Sequence, residues 1–374
     1  MATAKFIYDT AERCPDLYYA CKFSAPDPFI FIETRGKKYL VMSDLEIDRT
    51  KKQAKGCKVL SLSKFTAKAA KKSKTPSLLD TLNEIFKSLK VKKLEMPPAS
   101  PFSLVDGLRK RGYKIQSGST PFYPKRLQKT ADEKKALIRA QKAVFDMMAL
   151  AEKTLRACKI RNNKLYYKGK VLTCEALREM IHFELMRRNF IAPESTIVAC
   201  GADTIDPHNF GKGPLRPHQA IIVDIFPKSI DSLFWGDATR TFCVGKAPER
   251  LKKLYNAVKA GQEYALKNIK AGVNGRKIHE TILKMFKERG FNTGEIGGRM
   301  QGFFHSTGHG IGLELHESPI RVGPVDQTLK AGMCTSVEPG LYYKGLGGVR
   351  IEDIVFVTKT GCQVLAGYPK RLEV

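Results

Sequence analysis

The second half of the chain places acidic side chains in segments that are otherwise apolar or rich in glycine. Asp224 ends the run Ala-Ile-Ile-Val and is followed by Ile225, a pattern that predicts a buried strand carrying a carboxylate. Three more carboxylates and one imidazole lie in segments with their own local signatures: Asp237, His309, Glu338 and Glu352. Carboxylates are not buried together without cations that neutralise them. Four of them therefore predict a site for two divalent metal ions, as in a dinuclear hydrolase.

The most specific segment is residues 305–316, His-Ser-Thr-Gly-His-Gly-Ile-Gly-Leu-Glu-Leu-His, which we call the histidine segment. It holds His305, His309 and His316, three of the seven histidines of the chain. The intervening glycines let the backbone approach a ligand closely, which a larger residue would prevent. A single histidine is usually structural, whereas three in one short segment favour a binding or catalytic site.

Spacing along the strands predicts the directions of the acidic side chains. Asp237, Thr239 and Thr241 alternate along one segment, so we expect them on one face of a strand. Arg350 and Glu352 are expected to share a face of another strand in the same way. Two aspartates on adjacent strands of a hairpin can coordinate neighbouring cations, but an aspartate at the end of a strand also commonly forms a turn. The aspartates alone leave both interpretations open.

The length and the turn signals predict two domains. A chain of 374 residues exceeds the size at which one hydrophobic core usually stops growing. The first part alternates short strand-like and helix-like segments, including a hairpin around Arg35 and Gly36. A turn rich in glycine and serine and the segment Pro-Phe-Tyr-Pro at 121–124 then indicate a linker. We place the boundary between a smaller α/β domain, 1–125, and a larger domain, 126–374.

The larger domain combines long helical patterns with the strands that carry the acidic residues. Thr-Ala-Asp-Glu at 130–133 has the pattern of a capping box and predicts a helix that continues to about Cys158. Further helices are predicted over 174–189, 248–270 and 275–290. This mixture predicts an α+β domain in which helices pack on a curved sheet.

The net charge of +28 is the unusual bulk property. The lysines are dispersed and lack a pattern of stacking aromatic residues, so we expect a solvated basic surface and no nucleic-acid partner. Nine scattered cysteines without a Cys-x-x-Cys pair favour reduced thiols. No apolar run approaches the roughly 18 residues of a membrane span, and no signal peptide is visible. A cytoplasmic protein without a membrane partner is therefore expected.

The segments around the five candidate ligands resemble those of the creatinase/aminopeptidase P/methionine aminopeptidase family of pita-bread metallopeptidases. The resemblance is strong over residues 130–374 and less specific over 1–125, which resemble the smaller creatinase-type N-terminal domain. Metal ligands in that family occur in the order Asp, Asp, His, Glu, Glu. The resemblance therefore implies this ligand set: Asp224, Asp237, His309, Glu338 and Glu352.

The same resemblance implies roles for further residues of the site. Glu338 is expected to be both a metal ligand and the group that moves a proton from water to the leaving nitrogen. His208 and His316 are expected to be catalytic residues lining the substrate site, with His316 polarising the scissile carbonyl. His305, Tyr342 and Arg350 complete the set as residues that bind or orient the substrate.

The resemblance implies that the protein is a Xaa-Pro peptidase, either a dipeptidase or an enzyme like aminopeptidase P. Its substrate would be a peptide with proline at the second position, and the expected assembly is a homodimer. Two divalent ions would hold a bridging hydroxide that attacks the bond before proline. A site of carboxylates with one imidazole suits Mn²⁺, which we expect first, and also Co²⁺, Fe²⁺ or Zn²⁺.

Other members of this family suggest two alternatives. A methionine aminopeptidase typically lacks the creatinase-type N-terminal domain, and a creatinase-like hydrolase lacks the metal ligands. A pita-bread protein that binds nucleic acid or protein partners without catalysis would fit the charge, but such proteins typically lose ligands that this chain keeps. One departure stands out: Asp224 and Asp237 are separated by twelve residues, two more than is usual in the family.

Overall fold

The computed structural model describes residues 3–374, except for the side chain of Ile320. The chain divides into two compact units, the first ending at Arg126 and the second being Leu127–Val374. This division lies beside the boundary predicted at residue 125. None of the helices within the described residues combines the length and apolarity that a membrane span requires.

The first unit is built on one mixed sheet with helices on its connections. Within the described residues, the sheet has the strand order β4-β3-β2-β1-β5-β6, in which β1–β2 and β2–β3 are antiparallel and the other pairs are parallel. The hairpin predicted around Arg35 and Gly36 is confirmed as β2–β3. The strands are β1 (Thr3–Asp9), β2 (Phe29–Thr34), β3 (Lys37–Met42), β4 (Cys57–Ser61), β5 (Lys93–Met96) and β6 (Lys114–Ser117). The helices are α1 (Pro15–Cys21), α2 (Ile47–Gln53), α3 (Leu62–Ala70), α4 (Leu78–Ser88) and α5 (Phe102–Lys110).

The helices of the second unit match the predicted positions within a few residues. They are α6 (Ala131–Arg156), α7 (Cys174–Arg187), α8 (Glu249–Asn268) and α9 (Gly275–Glu288). The capping box predicted for α6 is confirmed, because Thr130 and Glu133 each bond the other's backbone N–H. The apolar face of α6 packs in a core with Val223 and Ala238 from the neighbouring strands. This packing anchors the hairpin that carries two of the candidate ligands.

Several small sheets make up the rest of the second unit. In the described residues, antiparallel pairing joins β11-β12-β14, β18-β17-β19-β22-β23, β20-β21, β10-β13, β15-β16 and β7-β8-β9. The strands of the first half are β7 (Lys159–Arg161), β8 (Lys164–Tyr167), β9 (Lys170–Val171), β10 (Phe190–Ile191), β11 (Ile197–Cys200), β12 (Ile221–Ile225), β13 (Lys228–Ser229) and β14 (Ala238–Phe242). Those of the second half are β15 (Gly294–Glu295), β16 (Met300–Gln301), β17 (Gly308–Gly310), β18 (Glu317–Val322), β19 (Cys334–Val337), β20 (Gly340–Tyr343), β21 (Gly347–Arg350), β22 (Asp353–Val357) and β23 (Cys362–Val364).

The long connection between Asp224 and Asp237 has a structural role. It contains β13, which pairs with β10 so that Ile191 lies opposite Lys228. Beyond β13, the backbone N–H of Gly236 donates to the carbonyl of Pro227 and closes the loop. The extra residues therefore attach the hairpin to a neighbouring strand and leave the pairing of β12 with β14 intact.

Arg350 and Glu352 face the same side, as predicted, since both contact the Thr239 hydroxyl, but they do not share a strand. Arg350 is the last residue of β21, but Glu352 lies in the connection that follows and precedes β22. Its backbone N–H donates to the carbonyl of Thr239 on β14, 3.0 Å away. That bond holds the backbone of Glu352 beside β14.

Candidate metal centre

Two of the predicted ligands come from the β12–β14 hairpin. Asp224 lies on β12 directly opposite Thr239, and Asp237 immediately precedes β14. The backbone of Asp237 is fixed by the buried amide of Gln141 on α6, which donates to the Asp237 carbonyl at 2.5 Å and accepts from its N–H at 3.0 Å. The longest helix of the unit thus holds this aspartate in place.

The other three come from adjacent strands of the β18-β17-β19-β22-β23 sheet. His309 is the middle residue of β17, Glu338 follows β19, and Glu352 precedes β22. Because β19 pairs with both β17 and β22, the three side chains reach one end of the sheet. Tertiary pairing therefore brings together residues that are far apart in the sequence.

The side chains converge around the imidazole of His309. Its Nε2 lies 3.2 Å from Glu338 Oε1, 3.4 Å from Asp237 Oδ2 and 4.0 Å from Glu352 Oε1. One donor atom from each of Asp237, His309 and Glu352 lies within 4.8 Å of the others, a separation suited to a shared metal ion. Asp224 lines the same cavity and completes the predicted set.

Burial of so many carboxylates changes their proton affinities. Burial, followed by repulsion from Asp224 and Glu338, raises the pKa of Asp237 well above its ordinary value. Burial and repulsion from Asp237 raise the pKa of Glu352 in the same way, and burial also raises the pKa of Glu338. Such a group keeps its negative charge near neutral pH only when cations lie beside it.

The unsatisfied atoms of the site agree with a bound cation. Asp224 Oδ1 and Glu352 Oε1 are buried and have no hydrogen-bond partner among the described residues. A buried carboxylate oxygen without a partner is costly, and coordination of a metal would remove that cost. Four carboxylates and one imidazole are also a donor set for hard or borderline divalent ions. The residues present therefore fit the two divalent ions that the sequence predicts.

Arg350 connects the ligands to the residues behind them. Its guanidinium donates to Asp224 Oδ2 at 2.6 Å and to the Tyr342 hydroxyl at 2.9 Å. Tyr342 is fully buried and does not line the cavity, and its hydroxyl is 3.0 Å from His305 Nε2. The geometry thus gives Tyr342 a supporting position, and a direct substrate contact for it stays a prediction.

Two hydroxyl groups to which the sequence assigned no role at the site, those of Thr239 and Ser336, hold the ligand carboxylates. Thr239 Oγ1 donates to Glu352 Oε2 at 2.8 Å, and Ser336 Oγ donates to Glu338 Oε1 at 2.9 Å. Ser336 Oγ also accepts from the backbone N–H of His309, again at 2.9 Å. Ser336 and Glu338 are two residues apart, so strand alternation is a local signal for their bond. The bonds from Thr239 to Glu352 and from His309 to Ser336 have no local signal, because they depend on which strand lies alongside.

A buried cation supports the Glu352 backbone from behind the site. Arg240 donates to the carbonyl of Glu352 at 2.5 Å and to Asp353 Oδ1 at 2.6 Å. Asp353 is also paired with Lys370 at 2.8 Å. The acidic residue next to Glu352 therefore belongs to a structural ion cluster and faces away from the ligands.

A cavity of about 850 Å³ opens onto the predicted ligands. His208, His305, His316 and Arg350 line it with the five ligands. The rest of the wall is mixed, with apolar side chains beside polar and acidic ones, namely Ile197, Phe210, Phe226, Phe304, Leu315, Pro207, Glu194, Asp206 and Ser306. Burial lowers the pKa of His305 to about 3 and that of His316 to about 4. Both imidazoles are therefore neutral at physiological pH and carry one N–H each. That of His305 is donated from Nδ1 to the carbonyl of Ser306, 2.8 Å away, whereas that of His316 can donate to a bound molecule.

The sequence matches a described family over most of the second unit. Residues 135–359 match the profile described as "Metallopeptidase family M24". A Xaa-Pro dipeptidase from Lactobacillus delbrueckii subsp. lactis is 30% identical over 209 residues, which are 54% of this chain and 53% of that protein. A Xaa-Pro dipeptidase from Pyrococcus furiosus is 34% identical over 179 residues, 47% of this chain and 48% of that protein. These alignments span about half the length of the relatives.

Solved structures are similar over the full chain. An X-Pro aminopeptidase from Thermotoga maritima has a TM-score of 0.83 at 22% identity, covering 100% of this chain and 98% of that one. A Xaa-Pro dipeptidase from Bacillus anthracis has a TM-score of 0.81 at 24% identity, covering 100% and 95%. This similarity establishes the fold and confirms the predicted α+β pita-bread class. Together with the family match, it shows that the chain belongs to metallopeptidase family M24, in the creatinase/aminopeptidase P group.

Proposed function

We propose that this chain is a dinuclear, metal-dependent Xaa-Pro exopeptidase. The observation that carries the proposal is the convergence of Asp237, Glu338 and Glu352 on His309 at the bottom of a cavity large enough for a short peptide. The names of the relatives support proline-containing substrates, since the aligned proteins are Xaa-Pro dipeptidases. A proline nitrogen carries no hydrogen, so a dedicated site is useful for the bond before it.

The ligand set supports a site for two ions. Asp224, Asp237, His309, Glu338 and Glu352 would hold them, with Mn²⁺ expected first among Mn²⁺, Co²⁺, Fe²⁺ and Zn²⁺. When bound, such ions lower the pKa of water and polarise a carbonyl group. The hydroxyls of Thr239 and Ser336 orient the two glutamates so that their free oxygens face the cavity.

Glu338 is the proposed group for proton transfer. Its Oε1 accepts from Ser336, and it lines the cavity where the attacking water would lie. A carboxylate whose pKa is raised by burial takes a proton from water and can return it to the leaving proline nitrogen. The two steps use one group in opposite directions, so the carboxylate is regenerated in each turnover.

Three histidines are proposed to bind the substrate or to lie beside it. His316 packs edge-on against His309, with ring centroids 4.4 Å apart, and can donate an N–H to the scissile carbonyl oxygen. His208 lies on an exposed part of the cavity wall, where it can contact the peptide. His305 is held by Tyr342 and by the carbonyl of Ser306, which orients its ring toward the substrate side.

The remaining predictions belong to the same proposal. The substrate is a peptide with proline at the second position, either a dipeptide or a longer peptide, and the proposed assembly is a homodimer in the cytoplasm. The first unit is proposed to be the creatinase-type domain that accompanies proline-specific members of the family.

The proposal is tested with purified protein stripped of metal. Hydrolysis of Gly-Pro, Ala-Pro and Ala-Pro-Ala is measured after adding each divalent ion, with Ala-Ala as the comparison peptide. We expect cleavage of the proline peptides only with metal, and its loss in Glu338→Gln and in His309→Ala. Glu179→Gln, an exposed change on α7, is the matched control and should be as active as the wild type.

Different outcomes separate the alternatives. Wild-type turnover in Glu338→Gln would remove the proposed mechanism. Cleavage of Met-Ala-Ser with no cleavage of Xaa-Pro peptides would indicate a methionine aminopeptidase. Absence of any hydrolysis, together with binding of nucleic acid that weakens with salt, would indicate a binding protein.

A further inference from the structure

A buried ion pair lies directly behind the histidine segment. Lys129 Nζ is 2.5 Å from Glu317 Oε2, and the two side chains are only 2% and 3% exposed. The partners are 188 residues apart in sequence, and Lys129 lies outside the part of the chain that matches the family. Glu317 immediately follows His316, so the pair is joined covalently to the segment that bears three of the proposed site residues, His305, His309 and His316.

The pair holds the backbone of the segment. The second oxygen of Glu317, Oε1, accepts from the N–H of Leu313 at 3.1 Å. On the other side, the carbonyl of Gly312 accepts from the N–H of Trp235, two residues before Asp237, at 2.9 Å. The turn after His309 is thus fixed between Glu317 and the connection that leads to Asp237, a second proposed ligand.

The glycines of the segment are required by this arrangement. A Cβ atom at position 312 would collide with the Glu317 carboxylate and lie 2.8 Å from Lys129 Nζ. A Cβ at position 310 would lie 2.6 Å from Nη2 of the fully buried Arg321. The glycine pattern that marks this segment in the sequence therefore reflects contact with buried charges as well as access for a ligand.

The pair is not explained by stability alone. Removing two charges from water is expensive, and apolar residues of similar volume often serve a core as well or better. Glu317 also offsets the charge of Arg321, so one carboxylate faces two buried cations. Compared with an apolar core, the charged pair adds an oriented hydrogen bond. When one oxygen of the carboxylate is held by the lysine, the other is fixed in a position where it accepts from a single N–H group.

We propose that Lys129 and Glu317 are positioning residues for the metal centre. By fixing the turn at Gly312 and Leu313, they set the location of the His309 imidazole relative to Asp237 and the location of His316 in the cavity. The expected effect on kcat rests on the proposed function, whereas the expected effect on metal affinity does not.

The test uses the full-length protein with three changes at Lys129. Lys129→Met removes the charge and keeps the volume, Lys129→Gln keeps a donor to Glu317 without charge, and Lys129→Arg keeps both. Asp16→Asn is the matched control, because Asp16 pairs with the buried Arg126 at 3.1 Å in the first unit, and all five proposed ligands belong to the second unit. For each variant, Mn²⁺ affinity is measured by calorimetry, and thermal unfolding is followed by circular dichroism. The kinetic constants kcat and KM are determined for hydrolysis of Ala-Pro at saturating Mn²⁺.

We expect Mn²⁺ affinity and kcat to fall about 10- to 100-fold in Lys129→Met, as for other residues that orient metal ligands, with KM changed much less. Lys129→Gln should be intermediate and Lys129→Arg close to wild type, whereas Asp16→Asn should lose only thermal stability. If Lys129→Met does not fold, Lys129→Gln carries the comparison. Wild-type Mn²⁺ affinity and kcat in the folded fraction of these variants would overturn the inference. If the wild type cleaves no Xaa-Pro peptide, the proposed function fails, and the Mn²⁺ affinities still decide whether the pair positions the site.

Discussion

Ser336 offers the sharpest test of how the site is held together. Its hydroxyl is fully buried, donates to Glu338 Oε1 and accepts from the N–H of His309, so one group links two proposed ligands. Ser336→Ala removes both bonds and adds no bulk. A hydrogen bond to a charged group contributes about 1.5–3 kcal/mol, which corresponds to roughly a 10- to 150-fold effect. We therefore expect Mn²⁺ affinity or kcat to fall within this range.

The pH dependence gives the same prediction a second readout. The Ser336 hydroxyl lowers the pKa of Glu338, against the larger effect of burial, which raises it. Without this bond the carboxylate takes up a proton more readily, so the acid limb of the profile of kcat against pH should move to higher pH. The measurement is steady-state hydrolysis of Ala-Pro across pH at saturating Mn²⁺, with Mn²⁺ affinity determined by calorimetry.

The neighbouring Thr335 supplies the control. It is equally buried on β19, but its hydroxyl donates to the backbone carbonyl of Ser336 and contacts no proposed ligand. Thr335→Val should lower thermal stability and leave Mn²⁺ affinity and the pH profile unchanged. If Ser336→Ala behaves like Thr335→Val in both readouts, the hydroxyl does not orient the ligands and the reasoning fails.

Three further predictions concern charge. Arg350→Met leaves Asp224 without its guanidinium partner, so the free energy of unfolding should fall by about 3–5 kcal/mol in urea unfolding and kcat on Ala-Pro should fall with it. An unchanged free energy of unfolding together with near-normal kcat would contradict the role of this pair. Asp80 has its pKa lowered first by the Ser77 hydroxyl and then by Arg111, so its stabilising effect is present at neutral pH and is lost as the pH falls through its titration. Asp80→Asn should therefore destabilise the first unit by about 1 kcal/mol in urea unfolding at pH 7 and by less near pH 3. Chelation of metal should lower the thermal unfolding temperature of the wild type, because ions at 100 times their Kd stabilise by about 2.7 kcal/mol; an unchanged temperature would argue against bound metal.

The sequence correctly predicted the helices and strands that depend on interactions between near neighbours in the chain. The capping box at Thr130 and Glu133 and the apolar run before Asp224 depend on residues a few positions apart, and the structure has the predicted helix and strand at both places. Helix boundaries agree within a few residues for the same reason, since caps and periodicity involve near neighbours. The extra residues before Asp237 could be counted in the sequence, but their pairing with Phe190 and Ile191 could not.

The sequence by itself determined which residue types are available for chemistry: four carboxylates and an imidazole, in segments that resemble one metallopeptidase family. Only the tertiary structure decided how they are held. Three contacts each join separate strands or loops: the bond from Arg350 to Asp224, the bond from the His309 N–H to the Ser336 hydroxyl, and the pair of Lys129 with Glu317. Such contacts depend on which strands lie side by side and in what register. The physical reason is that a buried charge without a partner is strongly destabilising, and the partner that lies beside it in the fold can come from any position along the chain.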